Sequence, residues 1–394
     1  MQRLRIFLKT QNWKVILVLL LLTGLLSAPI YYHRIAVPVD TDYGSHVAFA
    51  QQILDPDLGK GVPLSHPILQ YILIGLHLGS GRLLGLYASL MVLQVLVQVF
   101  TALIIYFWIG PAEQNHWDWL RAGAAISLTF VAPIMLLAFR DGLFYYGYIG
   151  LANYHNPTIH LLKPFALLSL IFASRAVSNE TSRWGTIGMA AALMVLATWI
   201  KPNYSLAILP ALGLVVGIRL LQRMRLDWKM LAFGFYLPGV AILLIQWLID
   251  FQDIQSGTGI IFAPFTIEGS YSGFLAIKFL LSTFMPLLVL VIARRRLLQD
   301  PDLLVASAGF IVGAAQFYLL AESGDRMYHA NFRWSGQIML FLLFVVTVRW
   351  YLRQRVQLKA KHFLEKILVY GMYLAHLIAG VVYYIYCMVS IHYR

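Results

Sequence analysis

Charged residues are scarce in this sequence, and acidic residues are the scarcest of them. Aspartate and glutamate together number 17 among 394 residues, against 30 lysines and arginines, and all charged residues make up 12% of the chain. Hydrophobic residues make up 60%. A soluble domain needs more polar surface than this composition provides. We therefore expect an all-α integral membrane protein, with residues 1–394 forming a single polytopic domain.

Several chemical motifs are also missing. The only cysteine, Cys387, excludes a disulfide within the chain. The sequence contains no phosphate-binding loop, no dinucleotide-binding fingerprint, no Gly-x-Ser-x-Gly nucleophile context and no Cys/His spacing typical of a metal site. Any chemistry would therefore depend on the few scattered polar residues.

Long apolar runs dominate what is present. A membrane core of about 30 Å is crossed by a helix of about 20 residues. We interpret eleven runs as membrane spans, at 13–32, 83–109, 119–139, 157–175, 185–200, 203–221, 229–249, 273–293, 303–321, 335–350 and 367–389. A further run at 67–78 is too short to cross and ends at Gly79-Ser80-Gly81.

The basic residues indicate the orientation of these spans. If the run 67–78 stays on the outer side, 20 of the 30 basic residues fall in cytoplasmic segments, including the clusters at 219–229, 294–296 and 349–366. The positive-inside rule favours this arrangement. It places the N-terminus in the cytoplasm and the C-terminus outside, and it accounts for the net charge without a nucleic-acid partner.

With this orientation, the loops rich in polar residues face the extracytoplasmic side. The first outer loop, 33–82, carries juxtamembrane helices and includes Asp40 and Asp42. A carboxylate here can act as a general base that takes a proton from an acceptor hydroxyl. The two carboxylates could instead be ligands of a divalent cation, Mg or Mn. In a third interpretation Asp42 only caps the helix that begins near Tyr43.

Other polar residues of the outer side are candidates for binding a substrate or a lipid phosphate. Arginine binds phosphate through paired hydrogen bonds, and lysine near the end of a span can extend towards the interface. For the two arginines in segment 322–334, the alternative is local pairing with Glu322 and Asp325. The candidates are His46, His66, Asn153, His155, Lys163, Lys201, Arg326, His329 and Arg333.

Two consecutive segments resemble the polytopic glycosyltransferases of the GT-C fold class. The first is VDTDYGSHVAFAQQIL, which is similar to the acidic outer loop and juxtamembrane helix of that class. The second is SHPILQYILIGLHLGSGRLLGLYASLMVLQVL, similar to the short apolar helix, small-residue break and long span that follow. The resemblance covers about residues 13–110. The chain has Thr41 where a second adjacent acid is common, and we expect it to differ from many members of that class in having no soluble C-terminal domain.

The resemblance implies an inverting transfer of a hexosyl or pentosyl group from a polyprenyl-phosphate carrier. Asp40 or Asp42 would be the general base, and the acceptor would be a glycan, a lipid or a protein of the cell envelope. The composition also fits a lipid or polysaccharide transporter or flippase, which places ionisable groups near mid-membrane. A polysaccharide polymerase or ligase acting on the outer face is a further alternative.

Overall fold

The computed structural model describes residues 11–37, 41–55, 57, 65–110, 116–250, 259–355 and 363–390. These residues form a helical bundle with one two-stranded sheet. The helices are α1 (Trp13–Ala36), α2 (Tyr43–Leu54), α3 (Ile68–Gly79), α4 (Leu86–Ile109), α5 (His116–Leu128), α6 (Ala138–Asp141), α7 (Pro157–Ala176), α8 (Trp184–Ile200), α9 (Asn203–Leu221), α10 (Leu237–Asp250), α11 (Thr266–Tyr271), α12 (Leu275–Ala293), α13 (Pro301–Leu319), α14 (Arg333–Arg355) and α15 (Phe363–Val389).

Three further elements complete the described chain. A π-helix, Met230–Tyr236, runs directly into α10 and lengthens that span. Strands β1 (Ile260–Phe262) and β2 (Leu320–Glu322) pair antiparallel, with Ile261 opposite Ala321. A 3₁₀ helix, Gly324–His329, connects β2 towards α14. Helix α14 is the most enclosed span, because it packs against α13, α9, α12 and α7.

Nine helices of the described chain are long and apolar enough to cross a membrane. This supports the prediction of an all-α multi-pass membrane protein. The other two predicted spans form helices shorter than these nine. The run at 185–200 is helical throughout, as the 17-residue helix α8, whereas the run at 119–139 forms a helix only as far as Leu128, the end of α5.

Proline and glycine explain why α5 ends early. Pro133 has no backbone N–H and disfavours a helical residue before it. After Leu128 the chain forms a turn at Thr129 and Phe130 and then has no regular secondary structure as far as Met135. Its polar groups therefore need other partners in the interior. Ala132 and Ile134 donate to the carbonyls of His376 and Leu281, at 3.2 and 3.0 Å. Gly380 makes room, since a Cβ there would lie 2.0 Å from the Phe130 carbonyl oxygen.

Long-range contacts define two ends of the bundle. At one end, which we name the basic end, the loops and helix ends rich in arginine meet. There the Arg353 side chain donates to Ile109 and the Arg296 side chain donates to Gln354. Helix α4 runs away from this end over 24 residues, or about 36 Å. Its start, and α3 just before it, therefore lie at the opposite end. We name that opposite end the site end.

Candidate functional site

Asp42 lies just before α2, at the site end of the bundle. It occupies the N-cap position, but its side chain makes no capping hydrogen bond. Its carboxylate instead accepts a hydrogen bond from Asn156 Nδ2 at 2.5 Å, and it lies 3.7 Å from His155 Nε2. The backbone N–H of Asp42 donates to the His155 carbonyl at 3.0 Å. The segment before α7 therefore holds the aspartate, while 45% of its side chain stays exposed.

The Asn153-to-Asn156 segment has its own internal support. Asn153 Oδ1 accepts from the backbone N–H groups of His155 and Asn156, at 3.0 and 2.9 Å. Asn156 Oδ1 caps α7 by accepting from the N–H of Ile159. Proline at the first helical position, Pro157, suits this start. The same asparagine thus fixes the start of a span and aims an amide at Asp42.

A chain of polar side chains connects Asp42 to Lys201. The Thr158 hydroxyl donates to Asn156 Oδ1 at 2.7 Å, and Lys201 Nζ donates to the Thr158 hydroxyl at 3.0 Å. Lys201 Nζ also lies 4.9 Å from the centre of the Trp334 ring. Burial lowers the pKa of Lys201 to about 8, and the nearby Asp42 opposes that shift. The ammonium is held mainly by neutral groups.

Lys201 lines a cavity of about 350 Å³ between α9, α10 and the α13–α14 connection. Its polar wall includes His66, Lys201 and Arg326, together with Asp250 and Glu322. Arg326 lies 3.9 Å from Glu322. Three amides also line the cavity: Asn203, Gln246 and Asn331. The rest of the wall is mainly apolar and includes Leu206, Val240, Leu243, Leu244, Trp247 and Phe332. The cavity therefore combines a charged region with a wall suited to a hydrocarbon chain.

Three histidines around this site are uncharged at neutral pH. Burial lowers the pKa of His46 to about 3, that of His66 to about 4 and that of His155 to about 3, and nearby cations, including Lys201, add to each shift. A neutral histidine can accept a hydrogen bond. Gln70 Nε2 lies 2.9 Å from His46 Nδ1, which fits this role.

Four charged residues form a second cluster at the site end, which we name the ion-pair cluster. Lys278 Nζ lies 2.6 Å from Asp141 Oδ2, and Arg333 Nε lies 2.8 Å from Glu268 Oε1. Lys278 is fully buried, and the Glu268 side chain is 1% exposed. Arg333 also faces the rings of three tyrosines, at 4.9 to 5.7 Å from the ring centres: Tyr145, Tyr146 and Tyr271.

The ion-pair cluster fixes the loop that leads to Asn153. Lys278 donates to the Tyr146 carbonyl at 2.9 Å, and the backbone N–H of Gly147 donates to Glu268 Oε2 at 3.0 Å. Gly147 has a φ of +81°, and a Cβ there would lie 3.0 Å from Lys278 Cδ. Only glycine fits this close approach in a left-handed conformation. The cluster therefore orders the segment that carries the partners of Asp42.

The structure brings some of the predicted site residues together and separates others. Asp42, His155 and Lys201 belong to one connected site, Asn153 supports it, and His66 and Arg326 line the adjacent cavity. His46 lies close by, since Lys201 and His66 both affect its pKa. Asp40 lies outside the described residues.

Three predicted residues have other surroundings. Lys163 is buried in α7, where its Nζ donates to the Leu151 carbonyl at 2.8 Å and lies 4.9 Å from the Phe341 ring centre. His329 is exposed and does not line the cavity. Arg333 pairs with Glu268 of α11, not with the local acids Glu322 and Asp325. The described residues contain no cluster of three or more groups able to hold a metal ion.

Five important residues were missing from the sequence-based candidates. Asn156 and Thr158 form the polar chain from Asp42 to Lys201. Glu268, Lys278 and Asp141 form the ion-pair cluster with Arg333. Lys278 could have been identified from the sequence, because a lysine inside an apolar run is rare and usually paired. Glu268 could not, because its partner Arg333 is 65 residues away along the chain.

Comparisons with known proteins do not identify the chain. No protein-family model matches the sequence, and a search of curated proteins finds no match either. The functional argument therefore depends on the geometry of the site and on its chemistry.

Proposed function

We propose that this chain is a membrane glycosyltransferase that moves a sugar from a polyprenyl-phosphate carrier to an acceptor hydroxyl. Asp42 is the general base. The observation that carries the proposal is the polar chain from Asp42 through Asn156 and Thr158 to Lys201, which joins a partly exposed carboxylate to a cavity with cationic and apolar walls. The predicted orientation puts this site on the extracytoplasmic face.

The reaction needs one base and one anion site. The acceptor oxygen bonds to the anomeric carbon as the bond from that carbon to the phosphate oxygen breaks. The acceptor proton moves to Asp42, and the phosphate leaves on its lipid with the electron pair of the broken bond. Asn156 orients the carboxylate, and because His155 is neutral it does not neutralise the base.

The cavity has side chains suited to both the sugar-phosphate and the prenyl chain of the donor. Lys201 and Arg326 provide cations for a phosphate, and neutral His66 can share a hydrogen bond with it. The carboxylates of Asp250 and Glu322 can accept hydrogen bonds from sugar hydroxyls. Val240, Leu244 and Trp247 are partly exposed on α10, so a prenyl chain can lie along them and remain in the membrane.

A transfer assay tests this proposal. Membranes containing the protein receive a panel of polyprenyl-phosphate-linked sugars, and the release of polyprenyl phosphate is measured. The variants are Asp42→Asn and Asp40→Asn, with Asp57→Asn as the matched control, because Asp57 is an exposed aspartate of the same loop. We expect Asp42→Asn to slow transfer by about 10²- to 10⁴-fold, the usual contribution of a general base.

Two results would count against the proposal. Full transfer activity in a folded Asp42→Asn protein would show that Asp42 is not the general base. Sugar transfer in the absence of any lipid-linked donor would show that the proposed function is wrong. We expect Asp57→Asn to retain activity within about twofold, because the charge of an exposed carboxylate is screened by water and salt.

Transport of a lipid-linked sugar is the second candidate function. Two observations favour it: α5 stops inside the bundle at Leu128, and Lys163 lies buried within a span. Interrupted helices and buried ionisable residues are typical of transporters. Proteoliposomes distinguish the two functions, since a transporter moves labelled lipid between leaflets without releasing polyprenyl phosphate.

A further inference from the structure

A second cavity lies near the opposite end of the bundle, between α5, α12, α14 and α15. Its volume is about 320 Å³, and among the described residues no charged side chain lines it. We name it the inner groove. Aromatic residues dominate its wall, with Trp119, Tyr351, Tyr370 and Tyr373 contributing rings. Trp119 and Tyr370 are 52% and 37% exposed, so the groove opens sideways towards the membrane.

The inner groove ends near the middle of the bundle. The Ser127 and Tyr373 hydroxyls are hydrogen-bonded at 2.6 Å and join α5 to α15. The part of α5 that lines the groove runs from Trp119 to Ser127, about 13 Å of helix. This is roughly half the thickness of a membrane core. The depth therefore matches one leaflet.

The size of the groove indicates what can occupy it. Its volume of about 320 Å³ and its mostly apolar, aromatic wall suit one hydrocarbon chain. Since the groove opens to the membrane, a lipid is the available source of that chain.

The charge beside the groove indicates the headgroup. Helices α14 and α15 each form part of its wall, and the sequence that joins them is strongly basic. Residues 349–366 contain six lysines and arginines and a single acidic residue, Glu365. Lys366 lies one helical turn from Tyr370 on α15, and Arg353 follows Leu352, which lines the groove on α14. Basic pockets between spans at the cytoplasmic side bind anionic lipid headgroups.

We propose that the inner groove binds one anionic phospholipid from the leaflet that meets the basic end. One acyl chain lies among the aromatic residues of the groove, and the phosphate is held near Arg353 and Lys366. This site is separate from the cavity beside Lys201, and the proposal is independent of the transferase function.

Lipid titration of the purified full-length protein, followed by native mass spectrometry, tests this inference. Phosphatidylglycerol is compared with phosphatidylcholine carrying the same acyl chains. We expect one phosphatidylglycerol to bind at least about tenfold more tightly than phosphatidylcholine, because Arg353 and Lys366 lie within one helical turn of residues that line the groove. Lys366→Gln lowers this affinity about fivefold. The matched control is Arg225→Gln, an exposed arginine of the α9–α10 connection, which leaves the affinity unchanged.

A second pair of variants tests the groove itself. Ala124→Trp fills it, whereas Ala192→Trp places the same side chain on the exposed face of α8. We expect only Ala124→Trp to prevent binding. Equal affinity for the two lipids, or unchanged binding in Ala124→Trp, would overturn the proposal. Should Ala124→Trp fail to fold, the comparison of Lys366→Gln with Arg225→Gln decides the question alone.

Discussion

Two groups of charged residues at the site end differ in how their charges are satisfied. In the ion-pair cluster, Lys278 and Arg333 each have a carboxylate partner within 2.8 Å. Lys201 is also buried, but it reaches only the Thr158 hydroxyl and the face of Trp334. In the part of the chain that the structure describes, no carboxylate lies within ion-pair distance of Lys201.

This difference separates a structural role from a binding role. A buried ion pair offsets its desolvation cost internally, and its main effect is to fix the elements that it joins. A buried cation supported by neutral groups gains more when an anion arrives. The ion-pair cluster therefore orders the loop between α6 and α7, and Lys201 is the cation that we propose to bind the donor phosphate.

The largest expected effect comes from breaking one ion pair. Lys278→Met leaves the half-buried carboxylate of Asp141, whose side chain is 15% exposed, without its cation, so the free energy of unfolding falls by about 3 kcal/mol. Replacing both partners, as Lys278→Met with Asp141→Leu, restores most of the loss, because no charge is then left unpaired. Chemical denaturation in detergent measures both variants.

Arg140→Met provides the control for this prediction. Arg140 is exposed, and its guanidinium lies 5.0 Å from the Phe274 ring centre. We expect a loss of less than about 1 kcal/mol there, the upper range for an exposed cation–π contact. If Lys278→Met is no less stable than Arg140→Met, the ion-pair cluster does not have the structural role assigned to it.

The next largest effect is a loss of folding stability in acid, caused by the buried histidines His46 and His155. Burial holds the pKa of His46 near 3 and that of His155 near 3, whereas both rise to about 6.5 on unfolding. Between these values the unfolded chain binds more protons, so stability is present above pH 6.5 and is lost as the pH falls. At pH 5 each histidine accounts for a loss of about 2 kcal/mol relative to pH 7.

Single substitutions separate this effect from general acid denaturation. His46→Gln removes one contribution, so its loss of stability between pH 7 and pH 5 is smaller by about 2 kcal/mol. His329→Gln is the matched control, because His329 is exposed. Thermal unfolding at several pH values measures how steeply the stability of each variant changes with pH. Equal slopes in the two variants would mean that His46 does not titrate as its burial predicts.

The smallest effect concerns the charge of Lys201. Its pKa of about 8 means that the ammonium is present below pH 8 and is lost above it. The KM for the lipid-linked donor should therefore rise about tenfold from pH 7 to pH 9, as most of the lysine becomes neutral. Lys201→Arg stays charged over this range, so its KM remains flat. A KM profile with the same slope in both proteins would contradict the role of Lys201.

Features that depend on residues close together in the sequence could be predicted. The apolar runs predicted most of the helices, and Asn156-Pro157 marked the start of α7. The length of α5 was overestimated, because hydrophobicity continues past Leu128 although Pro133 interrupts the helix. Lys201 and Asp42 were identified as candidates from their positions at the ends of spans.

Pairing between distant segments could not be predicted in the same way. Arg333 had two acids nearby in sequence, Glu322 and Asp325, yet it pairs with Glu268. That choice depends on the packing of α11 against the loop around Gly147, which no local pattern encodes. Burial decides which charged residues need a partner, and burial follows from the tertiary fold.

The binding of polyprenyl phosphate to Lys201→Met is the most direct test of the central claim. Wild type, Lys201→Met, and Lys278→Met with Asp141→Leu are compared by equilibrium titration in detergent. We predict that Lys201→Met weakens binding by about 10- to 100-fold, the loss expected for one charge-assisted hydrogen bond, with its stability maintained. The ion-pair double variant should bind within about threefold of wild type. Unchanged binding in folded Lys201→Met would contradict the account.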